Sequence, residues 1–154
     1  MDKEIVLKPV AHVVNSRKEI SDDYWGGVVS EIELADWLPV ESLDGIESFS
    51  HLEIIFYIDR SGKTITGSEY PRENPNWPKY GISAQRKKDR PNHLGLTTVK
   101  LIKKEGRKLF VSRLDAIDGT PVLDIKPVFE EFMAKGEIVQ PEWTRELMRE
   151  YWNE

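Results

Sequence analysis

The chain has 154 residues, 39% of them hydrophobic and 32% charged, with a net charge of −5 and no cysteine. That composition describes a folded domain able to bury roughly two-thirds of its unfolded surface, and it excludes a disulfide framework, thiolate catalysis and cysteine metal sites. No apolar run approaches the roughly 20 residues of a membrane span and the N-terminus lacks a signal-peptide pattern, so a cytoplasmic protein without membrane contact is expected.

Taken in order, Ile5–Val14 reads as a strand rich in Val and Ile, with Pro9 suited to an edge or a bulge. The loop Ser21–Gly27 follows. Val28–Leu34 alternates, with Val28, Ile32 and Leu34 on one face and Val29, Glu31 and Glu33 on the other, which predicts a half-buried strand. Asp36–Leu43 predicts a short helical turn ended near Asp44-Gly45. Leu52–Ile58 is a nearly unbroken apolar run, β-branched and aromatic, and predicts a central strand. Arg60–Tyr80, punctuated by Gly62, Gly67, Pro71, Pro75 and Pro78, predicts a long irregular stretch. Gly81–Gln85 resumes as strand, Thr97–Ile102 and Lys108–Leu114 flank a turn at Lys104–Arg107, and Val122–Ile125 makes the last strand.

Toward the C-terminus the period changes. Pro141 suits a first helical position, and Trp143, Leu147 and Tyr151 follow at spacing four, with Met148 and Trp152 widening the stripe. The expected helix is a lid packed on the sheet or on a partner subunit. The whole predicts a mainly β fold, a small single-sheet antiparallel β-barrel with a C-terminal helix. Residues 1–154 form one domain in this reading, with the barrel at about 4–127 and a helical extension over 128–154.

Charge is unevenly spread. Residues 85–108 carry nine Lys/Arg against two acids, a stretch of +7 in a chain whose remainder is −12. Such a stretch attracts phosphates, or is simply the solvated face and turn of a hairpin. Polar loops tied to strands offer the remaining chemistry: Arg86, Arg90, Asn92, Asp118, Asp124 and Lys126 supply an anion fork, an amide, carboxylates and an ammonium suited to a zwitterionic ligand. No phosphate-cradling glycine loop or nucleophile elbow is present. The histidines His12, His51 and His93 lack metal-ligand spacing, so no metal is expected.

Four ordered blocks carry a resemblance: Leu43–His51, Ala84-Gln85-Arg86, Arg90-Pro91-Asn92 with Gly95, and Asp118-Gly119-Thr120-Pro121-Val122-Leu123-Asp124-Ile125-Lys126-Pro127. Together they closely resemble the TsaA-like (TrmO) family, from about Val6 to Pro127. The resemblance implies a dimeric, single-sheet β-barrel methyltransferase that uses S-adenosylmethionine. It implies tRNA as substrate, methylated on N6 of the threonylcarbamoyl-modified adenosine 3′ of the anticodon. Matching positions imply donor contacts at Arg86, Lys88, Thr98 and Asp124-Ile125-Lys126-Pro127, with Asp59, Arg60, Asp23 and Tyr24 at positions where the pattern differs. Asn92-His93-Leu94-Gly95 replaces the usual Asn-Pro-Ile-Gly, Gln85 stands where Thr is common, and Lys87-Lys88-Asp89 replaces a less charged triplet.

Longer bacterial members carry a further C-terminal domain, whereas 27 residues follow Pro127 here. Substrate contact is therefore expected from Arg90, Asn92, Lys100, Lys103 and Lys104, doubled by a homodimer. A threonylcarbamoyl-substituted N6 is a poor nucleophile until its proton leaves. His51, His93 and Asp124 are the candidate bases, with His51 alternatively orienting the Phe49–Leu52 turn. Methyl transfer to another small or RNA substrate, and donor or RNA binding without turnover, are the alternatives.

Overall fold

The computed structural model describes residues 2–154. Six antiparallel strands close into a barrel: β1 (Ala11–Val14), β2 (Val29–Leu34), β3 (His51–Tyr57), β6 (Leu94–Glu105), β7 (Lys108–Ser112) and β8 (Pro121–Pro127). A separate pair, β4 (Ser68–Glu69) and β5 (Tyr80–Gly81), stands in the long connection between β3 and β6. Around the barrel the order is β1-β2-β7-β6-β3-β8, and β8 returns to β1 to close it. Closure removes the sheet edges that would otherwise offer unpaired backbone groups. Among the described residues no helix is long and apolar enough to cross a membrane.

Alternation fills the interior. Val13, Ile32, Leu52, Ile54, Val99, Leu109, Val111 and Val122 are fully buried, and each such side chain stabilises the fold by about 1.5–3 kcal/mol. Gly95 is required by packing, since a Cβ there would stand 2.4 Å from the Phe56 ring on the paired strand. The expected central strand is central: β3 pairs with β6 on one side and β8 on the other. Two bulges modify the ladders, between Ile55 and Phe56 opposite β8 and between Leu101 and Lys103 in β6.

Three expectations need correction. The first strand is Ala11–Val14 and does not begin at Ile5. Pro9 offers no N–H to a ladder, and Ile5, Val6 and Leu7 lie exposed with no strand beside them. Gly81–Gln85 is not a strand but a two-residue bridge followed by a 3-10 turn, Ile82–Ala84. The turn buries Ile82 and Gln85, and the Gln85 amide donates to the Glu69 and Tyr80 carbonyls at 2.9 Å each, replacing ladder bonds.

The third correction concerns the C-terminus. Helix α1 spans only Glu142–Leu147, with Pro141 as its N-cap instead of its first residue. Past Leu147 the chain turns and runs beside the loop before β2. Tyr24, Trp25 and Gly26 donate their N–H groups to the carbonyls of Glu150 (3.1 Å), Tyr151 (2.8 Å) and Asn153 (3.2 Å). Those bonds outweigh the weak propensity of an isolated helix to continue. The apolar stripe at spacing four therefore packs, but only its first turn is helical.

Candidate functional site

β3, β6 and β8 lie side by side, and their outward residues form two rows across the barrel wall. Lys126, Glu53 and Thr98 align in one, and Asp124, Ile55 and Leu96 in the next. The bulge opposite β8 restores this phase, because it lets Val122 and Ile125 both pack inward while Asp124 and Lys126 face out. Asp124 and Lys126 pair at 2.8 Å on this face, a contact that raises the Lys126 ammonium above its ordinary range. Ile125 packs against the core, and Pro127 sits opposite Leu52.

A cavity of about 1350 Å³ opens beside these rows, ample for a nucleoside-sized ligand with more beside it. Glu53, Leu96 and Thr98 belong both to the rows and to its lining, and the 83–90 loop forms a further wall. Arg86, on that loop, spends one guanidinium arm on the Leu96 carbonyl at 2.7 Å and lines the cavity. Lys88, Asp59 and Arg60 also line it. Lys88 stands 3.7 Å from the buried Asp89 carboxylate, and Arg60 donates to the Lys18 carbonyl at 2.8 Å. The structure thus brings Arg86, Lys88, Thr98, Asp59 and Arg60 to one cavity, with Asp124 and Lys126 on the adjoining outer face and Ile125 and Pro127 on the inward side of β8.

The other expected residues lie elsewhere or are engaged. Asp23 binds Arg72 through both carboxylate oxygens, at 2.9 and 3.3 Å. Tyr24 donates to Glu150 at 2.7 Å, which raises its phenol above the ordinary value, and neither Asp23 nor Tyr24 lines the cavity. Arg90 lines the cavity, but its guanidinium staples the loop to the Gln85 and Lys87 carbonyls at 2.6 and 3.3 Å. Asn92 occupies a left-handed turn position at φ 64°, exposed.

Lys100 stands exposed on β6 opposite His51. Lys103 pairs with Glu105 at 2.8 Å and lies over the Phe110 ring, and Lys104 is 3.9 Å from Glu47. Two of the three β6 lysines therefore already hold acidic partners. Of the candidate bases, His51 is hydrogen-bonded to the Ser50 hydroxyl at 2.6 Å beyond the cavity, in keeping with a role in orienting its turn. His93 has both ring nitrogens occupied, by Thr64 at 2.8 Å and by the Lys88 carbonyl at 3.1 Å.

The cavity also contains residues that sequence reasoning missed. Asp115 accepts hydrogen bonds from the Thr97 and Tyr151 hydroxyls. Burial, then the Asp115 charge, pushes the Tyr151 phenol far above its ordinary value, so it stays a donor at neutral pH. Arg113 lies over the Trp152 ring at 4.6 Å. Trp25, Trp143 and Met148 complete an apolar wall supplied largely by the C-terminal segment. A signal did exist: Leu114 and Ala116 are apolar on alternate positions, which sets Arg113, Asp115 and Ile117 on the other side.

Asp118 serves the scaffold. Its carboxylate accepts the Asn15 N–H at 3.0 Å and binds Lys18 at 2.8 Å, tying the 15–18 loop to the turn before β8. The Lys18 hydrogen bond, then the Asn15 N–H, lowers the carboxyl below its ordinary value. A lowered folded-state value stabilises above the unfolded pKa and is lost as pH falls through the folded one. The stability gap between the native chain and Asp118→Asn, measured by urea unfolding, should be full at pH 7 and close as pH falls below the ordinary carboxylate range.

A family model described as the tRNA-methyltransferase O N-terminal domain matches residues 22–133. The tRNA (adenine(37)-N6)-methyltransferase of Homo sapiens is 39% identical over 103 residues, covering 67% of this chain and 23% of that relative. A probable S-adenosyl-L-methionine-binding protein of Methanothermobacter thermautotrophicus is 34% identical over 138 residues, covering 88% of this chain and 98% of that relative. The crystal structure of TrmO from Pseudomonas aeruginosa superposes with a TM-score of 0.70 at 25% identity, over 88% of this chain and 61% of that one. This chain therefore spans less than a quarter of the human relative and nearly the whole of the archaeal one. Barrel, motif blocks and family model agree, and the chain belongs to the tRNA-methyltransferase O N-terminal domain family.

Proposed function

We propose that this chain is an S-adenosylmethionine-dependent methyltransferase acting on N6 of the threonylcarbamoyl-modified adenosine 3′ of the tRNA anticodon. The observation that supports the reading is that Arg86 and Thr98 line the cavity, while the Asp124–Lys126 pair lies in the outer rows that border it. Those residues fit the donor. Guanidinium suits its carboxylate, the Asp124 carboxylate suits an ammonium or ribose hydroxyls, and Ile55 with Leu96 offers apolar contact. When bound, the donor supplies an electrophilic methyl on sulfur.

The chain's own contribution is positional. Fixing the nucleophilic nitrogen in line with the methyl accounts for most of the rate in such displacements, and loss of the N6 proton adds roughly 10²–10⁴-fold if a base is placed. Of the candidate bases Asp124 lies in the rows, and Asp115, inside the cavity, is a further carboxylate for that step. We place the working unit in the cytoplasm as a homodimer. Its support is the exposed apolar edge of the site: Tyr57, Leu94 and Leu96 are 40%, 40% and 43% exposed on the outer wall, and a second copy would cover them.

The experiment is mass spectrometry of nucleosides from threonylcarbamoylated tRNA incubated with the purified protein and S-adenosylmethionine. One added methyl on that nucleoside is expected; unchanged nucleosides would overturn the reading. A second reading, donor binding without transfer, is favoured by one observation: the archaeal relative matched over 98% of its length is described as a binding protein only. Donor affinity with no methylated product would select it.

A further inference from the structure

Five arginines line the cavity: Arg60, Arg72, Arg86, Arg90 and Arg113. Four of them are engaged by the fold. Arg60 donates to the Lys18 carbonyl, Arg86 to that of Leu96 and Arg90 to those of Gln85 and Lys87, while Arg72 pairs with Asp23. Arg113 is the exception. Among the described residues no carbonyl or carboxylate takes up its guanidinium, which lies over the Trp152 ring at 4.6 Å. Asp115, the acid nearest to it in sequence, is occupied by the Thr97 and Tyr151 hydroxyls.

The fold holds this exposed side chain in place at a cost. Arg113 follows β7 directly and takes a left-handed backbone, φ 66°, which is unfavourable for any residue with a Cβ. That turn sends Leu114 and Ala116 into the core and leaves Arg113, Asp115 and Ile117 on the cavity side. The ring under the guanidinium is fixed as well. Trp152 packs edge-on against Tyr151 at 4.9 Å, and the carbonyls on either side, of Tyr151 and Asn153, accept the Trp25 and Gly26 N–H groups at 2.8 and 3.2 Å. Stacking uses the face of a guanidinium and leaves its in-plane N–H donors available at the edge. Strain kept at a cavity wall points to a use for the strained residue.

We propose that Arg113, stacked on Trp152, is a specificity residue that binds the carboxylate of the substrate's threonylcarbamoyl group. The proposal rests on the methyltransferase reading for that substrate and on the unengaged guanidinium for its location. Unmodified adenosine carries no carboxylate, so an arginine here reads the modification itself. The planar carboxylate matches the parallel N–H pair of the fork. It lies only a few bonds from N6, and Asp115, which offers a carboxylate for the N6 proton, shares this side of the cavity with Arg113. Neither Arg113 nor Trp152 belongs to β3, β6 or β8, whose outer rows are given to the donor.

Arg113→Gly tests it in the full chain. Glycine takes the left-handed backbone freely, which offsets the lost stack, so the variant should melt within about 3 °C of the native protein. Arg113→Gln carries the same comparison should glycine loosen the turn. The measurement is affinity for two anticodon stem-loops, one threonylcarbamoylated and one with unmodified adenosine. The native protein should prefer the modified loop by about ten- to hundredfold, the range for a charge-assisted hydrogen bond, and the variant should bind the two nearly alike. Arg113→Lys keeps the charge without the fork and should recover little of the preference. A preference retained by the variant overturns the proposal. Equal weakening on both loops would then make the anion a phosphodiester, and a fall in S-adenosylhomocysteine affinity would make it the donor's carboxylate. Absence of any preference in the native protein overturns it too. Methyl transfer by the native protein is scored separately: transfer without preference sinks the carboxylate site alone, and preference without transfer sinks the methyltransferase reading alone.

Discussion

Gly26→Ala is expected to strip the C-terminal segment from the barrel. A Cβ at this position would lie 1.9 Å from the Trp152 carbonyl oxygen and 2.8 Å from its carbon, backbone atoms that cannot step aside as a side-chain end can. Either the 24–27 loop or the tail must move. The tail is the softer partner, held by three backbone hydrogen bonds, the Tyr24–Glu150 and Tyr151–Asp115 contacts and the Arg113–Trp152 stack. Its docking strength caps the penalty, which should come to about 2–4 kcal/mol of unfolding free energy. Hydrogen exchange should lose protection at 24–26, while the β3 and β6 ladder amides stay protected in proportion to global stability. Unchanged exchange at Trp25 and Gly26 would show that the tail is not docked there.

Arg86→Ala should weaken S-adenosylmethionine binding about ten- to hundredfold, the range for a charge-assisted hydrogen bond lost from a site. One arm of the guanidinium holds the Leu96 carbonyl and so fixes the fork beside the outer row. The planar fork is what matters, so Arg86→Lys should recover little of the loss. Calorimetry on both variants, with circular dichroism as a folding control, measures this. Native affinity in Arg86→Ala would remove the residue from the donor site.

Much of the barrel is legible in the chain. Strands β2 and β3, read as Val28–Leu34 and Leu52–Ile58, announce themselves by alternation and by β-branched, aromatic content, because one face of each must enter the core. The strand order is not legible. Ring closure between β1 and β8 depends on register, and β1 keeps only four residues of a ten-residue apolar stretch. The two rows across β8, β3 and β6 needed the bulge near Phe56, which one extra residue in β8 creates and no composition signals.

The site divides in the same way. Arg86 and the Asp124–Pro127 block stand out by resemblance, and the sheet order relates them: Arg86 bonds Leu96 on β6, and Asp124 lies across β3 in the same row. Asp115 escaped attention because its partners, Thr97 and Tyr151, are 18 and 36 residues away. The C-terminal aromatics were read by period alone, and spacing four fits both a longer helix and the observed turn. Only the backbone bonds to Tyr24–Gly26 decide between them.

The most direct test of the account is a crystal structure with S-adenosylhomocysteine bound. The account predicts the ligand where the outer rows meet the cavity, in contact with Leu96, Thr98 and the Asp124–Lys126 pair, and with its carboxylate within hydrogen-bonding distance of a cation of the 86–88 loop. A ligand held on the side of the cavity lined by Arg113, Asp115 and Trp152, touching neither row, would contradict it.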